Sequence, residues 1–408
     1  MGDVQGTVEP GFERVREAFE RNFADHGEVG AACAIYLHGR PVVDLWGGVA
    51  DPAGDTPYTE DTLQLVFSST KGATALCANL LAQRGDLDLD APVARYWPEF
   101  ARAGKDAVPV RWLLSHHAGL PYIERALTLD EALAWDPPVE ALAAQAPIWE
   151  PGTAHGYHAV TFGWLVGEVV RRVTGRSLGT FFADEVAGPL GLEFWIGLPD
   201  RHQHRVAPLT NRGVRHGDPH PEQATGMEAE GGRTLAEVIE QFLGPDSLLA
   251  RALAGTGDVF TTEGVFNRPE VRAAELPAAN GVANARSMAR MYAAMIGPVD
   301  DAGVAPLLTP DQVGAASACR TSGADRVLML ETTFGLGFMT SSPFAPYGGA
   351  ASFGHAGAGG SVGFADPENG LAFGYVMNRM MANLAGDPRS RGLVAAAYDA
   401  IGVTPAFV

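Results

Sequence analysis

The apolar positions of this chain change their period several times, and each change marks an element. Phe12, Val15, Phe19 and Phe23 recur at spacings of three and four, which predicts an amphipathic helix over residues 12–23. Residues 31–37 and 42–46 are short β-prone runs joined by His38-Gly39-Arg40-Pro41, the signature of a β-hairpin. From Ser68 the pattern becomes helical: a buried helix over 70–84 is closed by Gly85, and further helices follow over 157–174 and 178–187. Residues 198–232 are rich in His, Arg, Gly and Pro without a sustained period, which predicts a long loop able to cover a cleft. Toward the end, 334–339, 361–365 and 371–377 read as strands, the last two joined by Asp366-Pro367-Glu368-Asn369-Gly370, and 390–401 reads as a closing helix.

Helix and hairpin at one end, with strands and helix at the other, predict a single sheet built from both ends of the chain and interrupted by a large helical insertion. The expected fold class is α/β of the α+β type, an antiparallel sheet flanked by helices. The expected division is a sheet domain of residues 1–62 and 283–408 around a mainly helical domain of 63–282, with the active site at their interface.

Composition narrows the function. The 408 residues are 46% hydrophobic and 19% charged, enough apolar material for two domains' worth of core. A net charge of −19 argues against nucleic acid or anionic membrane as partner. The longest run without Asp, Glu, Lys or Arg, residues 332–365, is broken by Pro343, Pro346 and nine glycines, so no bilayer span is expected there. Residues 1–15 carry three acidic side chains and no apolar core of a secretion signal, which favours a cytoplasmic location. Cys33, Cys77 and Cys319 are odd in number and far apart, which predicts buried, unpaired thiols.

Three segments carry chemistry. In Ser68-Ser69-Thr70-Lys71 a serine lies one helical turn before a lysine, so the amine folds back beside the hydroxyl. Neither group is reactive at its ordinary pKa; the pair works only where apolar burial disfavours the ammonium, which Leu65, Val66, Phe67, Leu76 and Leu80 are placed to provide. Only two of the 29 basic residues are lysines, Lys71 and Lys105; arginine is never deprotonated in a protein, so a lysine kept at position 71 fits a role that needs a neutral amine. Next, Pro151-Gly152 turns the chain ahead of Tyr157, expected at the mouth of a helix and facing a cleft, where its phenol would share the proton with Lys71. Last, the small residues of Gly354-His355-Ala356-Gly357-Ala358-Gly359-Gly360 permit close approach of a ligand to a strand backbone whose N–H serves as an oxyanion donor.

In this order the three segments resemble the serine β-lactamase and penicillin-binding-protein superfamily, whose marks are Ser-x-x-Lys, Tyr-x-Asn and Lys-Thr-Gly. The supporting segments Gly85-Asp86-Leu87-Asp88-Leu89-Asp90, Leu113-Leu114-Ser115-His116-His117-Ala118-Gly119-Leu120 and Asn280-Gly281-Val282-Ala283-Asn284 extend the likeness over most of the chain. It is nearest to the family VIII carboxylesterases. The resemblance implies Ser68 as acylated nucleophile, Lys71 and Tyr157 as its base pair, the backbone N–H groups of Ser68 and Ala358 as oxyanion hole, and His355 and Gly357 as substrate contacts, with no metal and no cofactor. Two departures stand out. Tyr-x-Asn is Tyr157-His158-Ala159, and Lys-Thr-Gly is His355-Ala356-Gly357, which removes the lysine and hydroxyl that help hold a β-lactam carboxylate.

The expected activity is hydrolysis of a small-molecule carboxylic ester with a hydrophobic acyl group. Transfer of the acyl group to an alcohol, a β-lactamase or D-Ala-D-Ala peptidase activity, and a non-catalytic sensor are the alternatives. Three other patterns are set aside. Gly359-Gly360-Ser361-Val362-Gly363 matches a nucleophile elbow, but no histidine follows His355. Asp86, Asp88 and Asp90 lack the glycine and terminal acid of a calcium loop, and His202, His204, His216 and His220 match no standard metal spacing.

Overall fold

The computed structural model describes residues 4–51, 56–211, 243–299 and 305–407. The chain opens with strand β1 (Gln5–Val8), helix α1 (Glu13–Asp25), the hairpin β2 (Gly30–Leu37) and β3 (Arg40–Asp51), and the short β4 (Thr56–Pro57). Next come β5 (Gln64–Leu65), the long helices α2 (Thr70–Arg84) and α3 (Thr161–Thr174), β6 (Phe194–Trp195), β7 (Val282–Ala283) and α4 (Ala285–Ile296). Strands β8 (Thr321–Ala324), β9 (Glu331–Phe334), β10 (Met339–Thr340), β11 (Phe353–Ala356), β12 (Val362–Asp366) and β13 (Leu371–Met377) precede the last helix, α5 (Pro388–Ala400).

Among the described residues the main sheet has ten strands in the order β1-β3-β2-β13-β12-β11-β10-β9-β8, with β4 paired to β3, and every neighbouring pair is antiparallel. The first and last segments of the chain therefore meet in its middle, where Cys33 faces Tyr375 and Ile35 faces Phe373. Strand alternation sorts the side chains into two cores. Cys33, Ile35, Phe373, Tyr375 and Met377 pack with α1 and α5 through Val15, Phe19, Leu393 and Tyr398. Ala34, Tyr36, Ala372 and Val376 face the other way, toward α4 and the helical body around α2.

Two paired glycines set how close α4 lies to the sheet. Gly363 and Gly374 are register partners, and a methyl group on Gly374 would stand 2.5 Å from the Ala285 carbonyl oxygen, one on Gly363 2.6 Å from the Met288 sulfur. Helix α2 is buried along residues 70–81 and ends at Gly85, whose φ of +79° is the left-handed cap glycine tolerates. A second sheet, β5-β7-β6, ties the entry to α2 to the segment before α4.

The hairpin of 31–46, the helix over 70–84 and the strand 371–377 form where expected, and several features differ. Helix α3 starts at Thr161, so Tyr157 lies on irregular chain ahead of it: its N–H goes to Asp325 Oδ1 and that of His158 to His116 Nδ1, side chains from distant segments that replace helical partners. The expected strand 334–339 is a tight hairpin, β9 and β10, because Gly337 turns the chain at φ +89° and the Gly335 N–H donates to the Phe338 carbonyl. The helix from Leu178 loosens into a π-helical turn at Ala183–Ala187 and continues to Leu190. Cys33 and Cys77 are buried, but Cys319 is exposed, correcting that expectation, because Thr321 and not Cys319 turns inward at the sheet edge. Of the region expected as a loop, Asp200–Arg205 is a short 3-10 segment in which the His202 ring packs on Trp195 at 4.6 Å; His216 and His220 lie outside the described residues. No described helix is long and apolar enough to cross a membrane.

Candidate active site

Ser68 sits on a short 3-10 turn, Phe67–Ser69, that feeds directly into α2. The preceding Phe67 has φ +43°, a left-handed conformation that costs a bulky residue on the order of 1–3 kcal/mol and persists only where the surroundings enforce it. They do so here through both sides of the turn. The Val66 carbonyl accepts from Ser69 N–H at 3.1 Å and from the Ser361 hydroxyl at 2.8 Å, and the Ser69 hydroxyl donates to the His355 carbonyl at 3.2 Å. Ser361 is thus a buried tie between the β12 end of the sheet and the serine turn.

One turn into α2, Lys71 is fully buried, its Nζ 3.0 Å from Ser68 Oγ, 2.6 Å from the Ala159 carbonyl oxygen and 2.9 Å from that of Ala278. Among the described residues no carboxylate pairs with it, and burial pushes its pKa well below that of a free lysine. A neutral amine has two N–H bonds and one lone pair. With the two carbonyls taking the protons, the lone pair is left for Ser68, whose O–H becomes the donor. Ala159 stands at the third position of the Tyr-x-Asn motif, and here it meets Lys71 with its backbone carbonyl.

Tyr157 is buried beside this pair, its ring face 4.8 Å from Lys71 Nζ. Burial raises its pKa, opposed by a hydrogen bond with Ser68 and reinforced by the charge of Asp325, so the phenol stays protonated across the neutral range. Its ring stacks between Phe334 at 6.1 Å and His355 at 6.0 Å, with His116 tilted against it at 5.1 Å.

The three histidines here are neutral. His158 donates from Nδ1 to the Gly156 carbonyl and accepts the Leu120 N–H at Nε2, and burial takes it down to about 3. His355 donates from Nδ1 to the Ala356 carbonyl and is likewise driven down to about 3, chiefly by burial. His116 accepts the His158 N–H at Nδ1. His355 and Gly357, the expected substrate contacts, are both buried: His355 backs Tyr157, and Gly357 fits where any Cβ would stand 2.2 Å from Ser361 Oγ and 2.3 Å from the Val66 carbonyl oxygen.

The cleft in front of Ser68 has a volume of about 620 Å³ and is walled by both Ser68 and Ala358. Its apolar lining includes Ile123, Val160, Phe260, Phe266, Met380 and Leu384. In the turn 357–360 the N–H of Gly357 goes to the Ser361 carbonyl, that of Gly359 to the Asn383 carbonyl and that of Gly360 to the Gly357 carbonyl. The Ala358 N–H, like that of Ser68, has no acceptor among the described residues, so two unengaged backbone donors border the same cleft as the serine.

Two supporting residues went unread in the sequence. Asp325 accepts at Oδ1 from the backbone N–H of Tyr157, Val327 and Leu328 at 3.1, 2.8 and 2.8 Å, and at Oδ2 from the Thr332 hydroxyl. No local pattern marks it, since its key partner is 168 positions away in the chain. His116 lies in a segment noted for family likeness, and its φ of +62° is the structural sign that it is held in place.

A family model described as Beta-lactamase matches residues 15–397. The esterase/beta-lactamase LipL of Mycobacterium tuberculosis is 36% identical over 382 residues, 93% of this chain and 84% of its own length. A solved structure of a family VIII carboxylesterase shares a TM-score of 0.82 and 37% identity, over 98% of this chain and 100% of that one. A penicillin-binding-protein homolog from Caulobacter crescentus gives the same TM-score at 41% identity and the same coverage. The family match takes in the serine turn, the buried lysine, the tyrosine and the glycine-rich turn in one continuous span, and the chain belongs to the beta-lactamase family.

Proposed function

We propose that this protein is a serine carboxylesterase acting on neutral esters with hydrophobic acyl groups. The observation that carries the reading is Lys71, buried without a carboxylate partner and hydrogen-bonded so that a neutral amine presents its lone pair to Ser68. In acylation the Ser68 oxygen attacks the ester carbonyl carbon while its proton passes to Lys71 Nζ. The developing oxyanion takes hydrogen bonds from the Ser68 and Ala358 N–H groups. Tyr157, kept protonated by burial, hands its proton to the departing alkoxide and takes one back from the neighbouring Lys71 ammonium, which returns the amine to its neutral form and balances the step. Water then attacks the acyl-enzyme with the same groups in reverse roles, releasing the carboxylic acid and restoring Ser68.

Ester chemistry is favoured over β-lactam chemistry by His355. It stands where a lysine would supply a cation, yet it is neutral, buried and turned onto its own strand. LipL carries both activities in its name, so the distinction is to be measured. A p-nitrophenyl ester chain-length series on wild type and Ser68→Ala, with intact mass spectrometry and nitrocefin alongside, tests the reading. Turnover of esters, an acyl adduct on the wild type alone and little nitrocefin cleavage are expected. Undiminished turnover by Ser68→Ala would overturn it, and acyl transfer to added alcohol in place of hydrolysis would move the activity to an acyltransferase.

A further inference from the structure

The oxyanion turn is held by a buried arginine that the chemistry above does not use. Arg389, in the first turn of α5, is fully buried, and all five of its N–H donors have acceptors. Nε donates to Asp387 Oδ1 at 2.9 Å; Nη1 donates to Glu28 Oε1 and to the Arg379 carbonyl, both at 3.0 Å; Nη2 donates to Asp387 Oδ2 at 2.9 Å and to the Gly359 carbonyl at 2.6 Å. Gly359 is the residue after Ala358, and its own N–H is fixed by the Asn383 carbonyl while its carbonyl also accepts the Met381 N–H. Asn383 in turn donates from its side chain to Asp387 Oδ2 at 2.8 Å. The far side of the clamp is as rigid. Tyr375, on β13, donates its hydroxyl to Glu28 Oε2, and a Cβ on Gly360 would stand 2.5 Å from Arg389 Nη2.

We propose that Arg389 is the positioning residue of the oxyanion hole: by gripping the Gly359 carbonyl it fixes the plane of the turn and so the direction in which the Ala358 N–H points. The inference rests on the reading of Ala358 as oxyanion donor. A guanidinium is required because its planar fork engages a carboxylate in two bonds while a third direction reaches the turn, and a lysine offers three donors from a single point. Displacing one oxyanion donor weakens binding of the transition state more than binding of the substrate.

The test uses Arg389→Lys and the milder Asn383→Ala, whose side chain is half-buried and touches the clamp only through Asp387. For each, kcat and KM on a p-nitrophenyl ester are measured per folded molecule, with the inhibition constant of an alkylboronic acid that forms a tetrahedral adduct on the serine. Arg389→Lys is expected to lower kcat at least about tenfold with KM within about twofold, and to raise the boronic acid constant by the factor by which kcat/KM falls. Asn383→Ala is expected to move the same quantities in the same direction by a smaller factor, which keeps the test decisive where Arg389→Lys does not fold. Unchanged kcat per folded molecule in the folded variants, with only a lowered melting temperature, would overturn the proposal. Wild type that fails to bind the boronic acid, or an active Ser68→Ala, would instead overturn the reading beneath it.

Discussion

At the scale of single residues, the two lysines answer the question that composition raises. Lys105 is fully buried and donates to three backbone carbonyls, those of Arg102, Ala143 and Gln145, a pyramidal demand that the planar fork of arginine does not meet. Lys71 makes the opposite use of the same side chain: two carbonyls and one hydroxyl, a set that fits a neutral amine with its lone pair engaged. Lys71→Arg is therefore expected to lose as much activity as Lys71→Ala, on the order of a thousandfold or more, because a cation without a removable proton accepts nothing from Ser68. Steady-state ester hydrolysis by the two variants decides it; an arginine variant keeping a tenth of wild-type activity would show that charge, and not proton acceptance, is what the site needs.

At the scale of elements, the site is a meeting of three short, irregular pieces with one long helix. The hairpin of β8 and β9 reaches it through Asp325, whose buried carboxylate gathers three N–H groups and a hydroxyl. Replacing it with alanine strands those donors without water, at a cost of about 2–4 kcal/mol. Urea denaturation of Asp325→Ala is expected to show that loss together with reduced kcat, since the Tyr157 backbone is one of the anchors released. A midpoint equal to that of wild type would mean that the hairpin does not hold the tyrosine.

The same pieces mark where sequence is readable. Helix α2 and the strands β2 and β13 were legible because burial imposes a period on consecutive residues, and the Ser68–Lys71 pair was legible because a helix fixes its spacing. The start of α3, the break at Gly337 and the anchoring by Asp325 were not. Each is decided by a hydrogen bond or a close approach between segments far apart in the chain, which leaves no periodic trace. His355 illustrates the limit best: its position in the third motif was readable, but that its ring backs Tyr157 depends on how β11 sits behind the serine turn.

At the scale of the whole molecule, charge works on what enters the cleft. The chain carries a net charge of −19, and among the described residues Glu124, Asp246 and Asp258 border the opening against one arginine, Arg251. Such a field repels carboxylate-bearing substrates over a distance of about 30 Å at 0.01 M salt and about 8–10 Å at 0.1–0.15 M. Raising salt from 10 to 200 mM, roughly, is expected to increase kcat/KM for an anionic β-lactam several-fold while leaving a neutral ester nearly unchanged. Stopped-flow or steady-state assays of both substrates over that range check it, and a ratio that falls with salt would reveal a local cationic subsite.

The pairing of β2 with β13 has a consequence for synthesis on the ribosome. Ser68 and Lys71 leave the exit tunnel well before the strand that closes the centre of the sheet and the arginine that grips its turn, with Leu371 meeting Leu37 from far along the sequence. Until β13 has emerged, β2 lacks its partner on that side and the Ala358 N–H is not yet set beside the serine. A nascent chain that carries the serine and lysine thus lacks the second oxyanion donor until the sheet closes over it, so topology alone delays the onset of catalysis.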